Sequence, residues 1–105
     1  MSINERIEQL LSSSPVILFM KGSPDFPQCG FSGQAVQIMD ACNATFQHFN
    51  IFEDEEIREG LKTYSNWPTF PQLYINGELI GGCDIMIDLY KKGELAPLLA
   101  AAIEA

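Results

Sequence analysis

Cys29 stands between a polar, proline-broken loop, "SPDFPQ" (23–28), and a run from Gly30 to about Cys42 in which Ala35, Val36, Ile38, Met39 and Cys42 share one broad helical face. A thiol at a helix N-terminus meets unpaired backbone N–H groups and the positive end of the helix dipole, both of which favour the thiolate. Lys21, at the end of the preceding apolar run, is placed to add a positive charge. Three residues beyond Cys29, where a C-x-x-C redox pair carries its second thiol, the chain has Ser32. Cys29 therefore lacks the neighbour that resolves a mixed disulfide in such pairs. A lone thiolate has two other uses: exchange with a small free thiol, or ligation of a metal whose remaining ligands come from elsewhere.

The remaining chemistry-bearing residues are less pointed. The cysteines lie at 29, 42 and 83, spacings that suit neither a C-x-x-C pair nor a zinc knuckle, and His48 is the single histidine. Cys42 on its apolar face reads as core, as do Met20, Met39 and Met86. Cys83 is open, a disulfide with Cys29 under oxidation being one reading. Arg58 and Lys62 lie four apart on one helix face, where pairing with Glu55 or Glu59 is their ordinary explanation. Asp84, after Gly81, Gly82 and Cys83, is placed to cap a helix.

The elements that position these residues follow from periodicity. "MSINERIEQLLSSS" is a first helix with Ile3, Ile7, Leu10 and Leu11 on one face, and Ser2 with Glu5 at capping-box spacing. "PVILFMK" (15–21) reads as a strand buried on both faces, and "TFQHFNIF" (45–52) as a second strand. "DEEIREGLKTY" (54–64) is a helix with an acidic first turn and Ile57, Leu61 and Tyr64 inward. "TFPQLYINGELIGG" (69–82) is a hairpin turning at Asn76-Gly77, the preferred type I′ dipeptide. A helix from Asp84 to Gly93 and a last one striped by Leu95, Leu98, Leu99, Ala102 and Ile103 complete the chain, with Trp67 shaping the loop before the hairpin. The order α-β-α-β-α-β-β-α-α predicts an α/β fold of thioredoxin-like type, a four-stranded mixed sheet flanked by about five helices in one domain over 1–105.

Composition removes other classes. The 105 residues are 47% apolar and 19% charged, which suits a packed domain rather than a disordered chain. Fourteen acids against six bases give a net charge of −8, which disfavours nucleic acid and anionic membrane as partners. The apolar runs are too short to span a bilayer, and the N-terminus has no apolar h-region, so a cytoplasmic protein is expected.

The segments "KGSPDFPQCGFS" (21–32), "EIREGLKTYS" (56–65) and "NWPTFPQLYINGELIGGCD" (66–84) resemble the monothiol glutaredoxins of the single-domain C-G-F-S class, in order and at that family's spacings. The likeness covers about positions 3 to 103, and it makes the missing second cysteine characteristic of the class. It implies a cis peptide before Pro71, so that the backbone of Phe70 faces Cys29 and pairs with bound glutathione like an added strand, with Thr69 beside it in the binding set. It also implies that Gly82, Cys83 and Asp84 hold the γ-glutamyl end, and that Lys21, Arg58 and Lys62 surround the glycyl carboxylate. The implied cargo is a 2Fe–2S cluster held by Cys29 and glutathione across a homodimer, with a monomer allowed in its absence. The implied role is iron–sulfur cluster assembly, transfer and iron homeostasis, with BolA-type proteins and iron–sulfur apo-proteins as partners. The alternative is an enzyme, a glutathione-dependent oxidoreductase that removes glutathione from protein thiols. Against it, the "SPDFP" and "NWPT" loops are extra relative to dithiol glutaredoxins, so weak activity is expected.

Overall fold

The computed structural model describes residues 1–104. Helix α1 (Ile3–Ser12) opens with the expected reciprocal cap: Ser2 Oγ accepts from the Glu5 amide and the Glu5 carboxylate accepts from the Ser2 amide, each at 3.2 Å. Strand β1 (Val16–Met20) is buried at every residue. Helix α2 (Gly30–Ala41) then carries the chain over to β2 (Gln47–Asn50), which lies parallel to β1. Helix α3 (Glu55–Ser65), the antiparallel pair β3 (Gln72–Ile75) and β4 (Glu78–Gly81), and helices α4 (Cys83–Lys91) and α5 (Leu95–Glu104) follow. The sheet order is β2-β1-β3-β4, with β1 antiparallel to β3. This is the predicted four-stranded mixed sheet with five helices.

Strand alternation divides the core in two. Val16, Leu18 and Met20 pack with Leu73, with Val36 and Met39 of α2, Met86 of α4, and Leu95 and Leu99 of α5. Ile17 and Phe19 point the other way, against Tyr74, Ile7 and Leu11 of α1, and Ile57 and Leu61 of α3. Helices thus cover both faces of β1, which is why its sequence is a continuous apolar run instead of an alternating one. The hairpin turns as its dipeptide demands, with φ of 51° at Asn76 and 80° at Gly77.

Four expectations are corrected, one of them in α5, where Leu98 and Ile103 of the expected stripe are exposed and only Leu95, Leu99 and Ala102 are buried. The second strand covers only Gln47–Asn50, because Asn50 Oδ1 accepts from the Phe52 amide at 3.0 Å and folds the next residues, Ile51–Glu53, into a 3-10 turn. Tyr64 is 39% exposed rather than inward. Asp84 does not cap α4: the N-cap is Gly82, which has no side chain for the task, and Asp84 lies exposed in the first turn. Helix α3 instead has a side-chain cap in Asp54, which accepts from the Ile57 amide at 3.1 Å and is ion-paired with Arg6 of α1.

Candidate functional site

Beyond Met20 the chain makes a tight ordered loop before it reaches Cys29. Gly22 takes φ of +93°, and a Cβ there would stand 2.5 Å from the Phe26 carbonyl oxygen, so the turn requires glycine. The Gln28 amide donates to the Lys21 carbonyl at 2.9 Å, and the Gly22 amide to Asn50 Oδ1 at 3.0 Å. The loop is thereby tied to β2, and Cys29 becomes the N-cap of α2 without itself capping the helix.

Ser32 is completely buried one turn into α2, and its Oγ accepts from the Lys21 amide at 3.0 Å. That bond fixes the strand exit carrying Lys21 to the helix start carrying Cys29. The pKa of Cys29 is lowered, first by the Ser32 amide, and further by the Phe31 amide, the Lys21 ammonium and the Ser32 hydroxyl, against the opposing effect of its burial. Cys29 is partly exposed, so the stabilised thiolate is reachable.

The other two thiols are of a different kind. Cys83 is 6% exposed, with Sγ 3.5 Å from Gln34 Oε1, an acceptor that suits a protonated thiol. Burial pushes its pKa up, as do the neighbouring charges of Asp84 and Cys29. Cys42 is half-buried against the core, and burial alone raises its pKa. All three thiols are free.

A cleft of about 380 Å³ lies beside Cys29. Lys21, Cys29, Phe31, Trp67, Thr69, Phe70, Pro71, Gly82, Cys83, Asp84 and Ile85 line it. The Phe70–Pro71 peptide is cis, as the resemblance implied. Gly82 is a close approach: a Cβ there would lie 3.2 Å from the Pro71 carbonyl oxygen and 3.4 Å from Trp67 Nε1. Helices α2 and α4 both begin at this cleft with N-caps, Cys29 and Gly82, that supply no side-chain hydrogen bond. In contrast α1 and α3 have theirs satisfied by Ser2 and Asp54. Two uncapped helix starts and one ammonium make the cleft receptive to carboxylates, while exposed Asp84 offers an acceptor to a cation.

Of the residues named from sequence, Lys21, Cys29, Thr69, Phe70, Pro71, Gly82, Cys83 and Asp84 meet in this cleft. Arg58 and Lys62 are not among its lining residues. Lys62 Nζ pairs with Glu59 at 3.1 Å, its ordinary explanation. The Arg58 guanidinium lies 5.9 Å from the centre of the Phe52 ring, with its Nε buried and unpartnered. Phe31 and Ile85 line the cleft without having been expected there. In the sequence Ser32 stands out only as the place of a missing thiol, although "CGFS" at a helix start does put its amide and hydroxyl within a turn of Cys29. A larger hollow of about 550 Å³ opens elsewhere, with Glu8, Leu11, Tyr64 and Asn76 in its wall, but it contains neither thiol nor cation.

Sheet, helices and cleft define a thioredoxin-fold thiol protein with one activated, accessible cysteine. The glutaredoxin family model matches residues 16–80. Glutaredoxin 4 of Escherichia coli K12 is 50% identical over 95 residues, covering 90% of this chain and 83% of that protein. Monothiol glutaredoxin-S11 of rice (Oryza sativa subsp. japonica) is 57% identical over 99 residues, 94% of this chain but only 20% of its own length. The solution structure of reduced poplar apo GrxS14 superposes with a TM-score of 0.83 at 51% identity, covering 99% of this chain and 95% of that one. The chain belongs to the glutaredoxin family, a family that uses glutathione, and it resembles its monothiol members.

Proposed function

We propose that this protein binds glutathione against Cys29 and, as a pair of chains, carries a 2Fe–2S cluster to apo-proteins that need one. The observation that carries the reading is the partly exposed thiol of Cys29, its pKa lowered by the start of α2, set in a cleft with one ammonium and two uncapped helix starts. Extended glutathione pairs its backbone with that of Phe70 before cis Pro71, with Thr69 beside it in the cleft wall. Its γ-glutamyl carboxylate takes the first amides of α4 past Gly82, at Cys83 and Asp84, and its ammonium takes the Asp84 carboxylate. Lys21 receives the glycyl carboxylate, with Arg58 as a second charge from outside the cleft lining. Lys62, engaged with Glu59, contributes least.

A 2Fe–2S cluster needs four ligands, commonly thiolates. Among the described residues no group of three or more histidine, cysteine or carboxylate side chains gathers in a way that could hold a metal. Of the three thiols only Cys29 is both partly exposed and lowered in pKa, so Cys29 is the thiolate one chain offers. Two chains and two bound glutathiones supply four thiolates, so the loaded form is a homodimer, with a monomer allowed when it is empty. Small exchangeable ligands make the cluster a cargo that leaves readily. A BolA-type partner, whose histidine replaces one ligand, is part of the same proposal, as is a cytoplasmic location. Among the described residues no helix is long and apolar enough to cross a membrane.

The lowered pKa of Cys29 also favours a second reading, removal of glutathione from protein mixed disulfides. The Cys29 thiolate would attack the glutathionyl sulfur and release the protein thiolate; a second glutathione thiolate would then free Cys29 as glutathione disulfide leaves. Anaerobic reconstitution with iron, sulfide and glutathione separates the two, read by visible absorbance and size exclusion. A coloured dimer that needs both glutathione and Cys29 supports the carrier. A colourless monomer with brisk deglutathionylation turnover reverses the order.

A further inference from the structure

Gln72 directly follows Pro71 on β3, is completely buried, and is not among the residues that line the cleft. Its Nε2 donates to two carbonyls of the preceding loop, Trp67 at 3.1 Å and Thr69 at 3.2 Å. Its Oε1 accepts from the Tyr74 hydroxyl at 3.0 Å. Only one orientation of the carboxamide satisfies all three contacts, since a flip would set its oxygen against two carbonyls. Tyr74 is itself held, 2% exposed and edge-on to Phe19 at 5.4 Å. An unbroken path of contacts thus runs from β1 through Tyr74 and Gln72 to the segment between α3 and β3. That segment has no regular secondary structure, yet Trp67, Thr69 and Phe70 form one wall of the cleft.

We propose that Gln72, oriented by Tyr74, is a positioning residue that sets the Trp67–Phe70 wall at the spacing needed to receive an extended peptide backbone. It touches no ligand. Its two donors draw together carbonyls two residues apart, so that the Thr69–Phe70 backbone faces the cleft in a fixed shape before anything binds. Pre-ordering of this kind raises affinity by reducing what must be immobilised on binding. Neither glutamate, whose ionised carboxylate cannot donate, nor methionine, which has no donor, can replace it. The ligand's identity rests on the glutathione reading above, whereas the latch is a property of the ligand-free chain.

The test compares wild type, Gln72→Met and Tyr74→Phe by three measurements. Acrylamide quenching of Trp67, the single tryptophan, reads the wall in the empty protein. Calorimetric titration with glutathione reads affinity, and the pH profile of Cys29 alkylation reads the thiol. In Gln72→Met, quenching should rise and glutathione should bind roughly five- to thirty-fold more weakly, the scale of one or two lost buried hydrogen bonds. Tyr74→Phe should move both in the same direction by less. The alkylation profile should not move, because the groups acting on the Cys29 sulfur belong to Phe31, Ser32 and Lys21. Wild-type quenching and affinity in a folded Gln72→Met overturn the proposal, as does a weakened affinity that comes with a shifted Cys29 profile. Should Gln72→Met fail to fold, Tyr74→Phe decides, since its ring keeps the contact with Phe19: raised quenching and weaker binding support the latch, and wild-type values for both overturn it. If wild type itself ignores glutathione, the functional reading falls while the quenching comparison still decides the latch.

Discussion

Replacing Ser32 by alanine removes one oxygen atom and perturbs two things at once. The Lys21 amide loses the acceptor 3.0 Å away, and Cys29 loses the weakest of the groups that lower its pKa. An amide left without a partner in a buried site costs about 1–3 kcal/mol; this bond is only part-buried, which places the loss near about 1–2 kcal/mol. For a domain of this size that is a fall in Tm of about 4–8 °C per kcal/mol. The alkylation profile should move to higher pH, and only modestly, because the Ser32 backbone amide, the largest influence on the thiol, survives the substitution. Urea denaturation reads the first effect and iodoacetamide rates across pH the second. Ser32→Cys should recover little stability, since a thiol is a weak acceptor. If Ser32→Ala unfolds within about 0.5 kcal/mol of wild type, inside the usual surface range, and its alkylation profile superimposes, then Ser32 does not join Lys21 to Cys29 as described.

At neutral pH, mass mapping after brief iodoacetamide treatment should find Cys29 labelled at least about ten-fold faster than Cys42 or Cys83, since thiolate fraction favours it over both and access favours it over Cys83; comparable labelling of Cys83 would contradict its burial. Asp54→Ala should cost about 1–2 kcal/mol at pH 7 through loss of the α3 cap, with the Arg6 pairing lost as well. The Arg6 guanidinium and the Ile57 amide hold the Asp54 carboxyl below its ordinary value. Its contribution is therefore complete above the unfolded-state pKa and lost as pH falls through the folded one, so urea midpoints of wild type and variant should converge in acid.

The parts of the fold that sequence revealed are those written in local patterns. The continuous apolar run of β1, the Asn76-Gly77 turn and the Ser2–Glu5 cap each fix their geometry within a few residues. The cysteine at a helix start was legible for the same reason, and the family resemblance supplied the opposite wall at Thr69–Pro71 and Gly82–Asp84. What stayed hidden depends on side chains reaching across the fold. Asn50 ends β2 by capturing the Phe52 and Gly22 amides, and nothing in "TFQHFNIF" announces the second of these. Gln72 looks like an ordinary polar strand residue until the loop it holds is seen. Asp84 looks like a cap because aspartate often is one, but the helix starts one residue before it, with Gly82 as cap. Arg58 and Lys62 share a helix face, yet one turns to Phe52 and the other to Glu59.

The most direct measurement is a glutathione titration of the reduced, isotopically labelled protein followed by amide chemical shifts. Shifts should concentrate at Lys21, Cys29, Thr69, Phe70, Cys83 and Asp84, the walls of the Cys29 cleft. An unchanged spectrum, or shifts confined to the hollow beside Glu8 and Tyr64, would contradict the assignment of that cleft to the tripeptide.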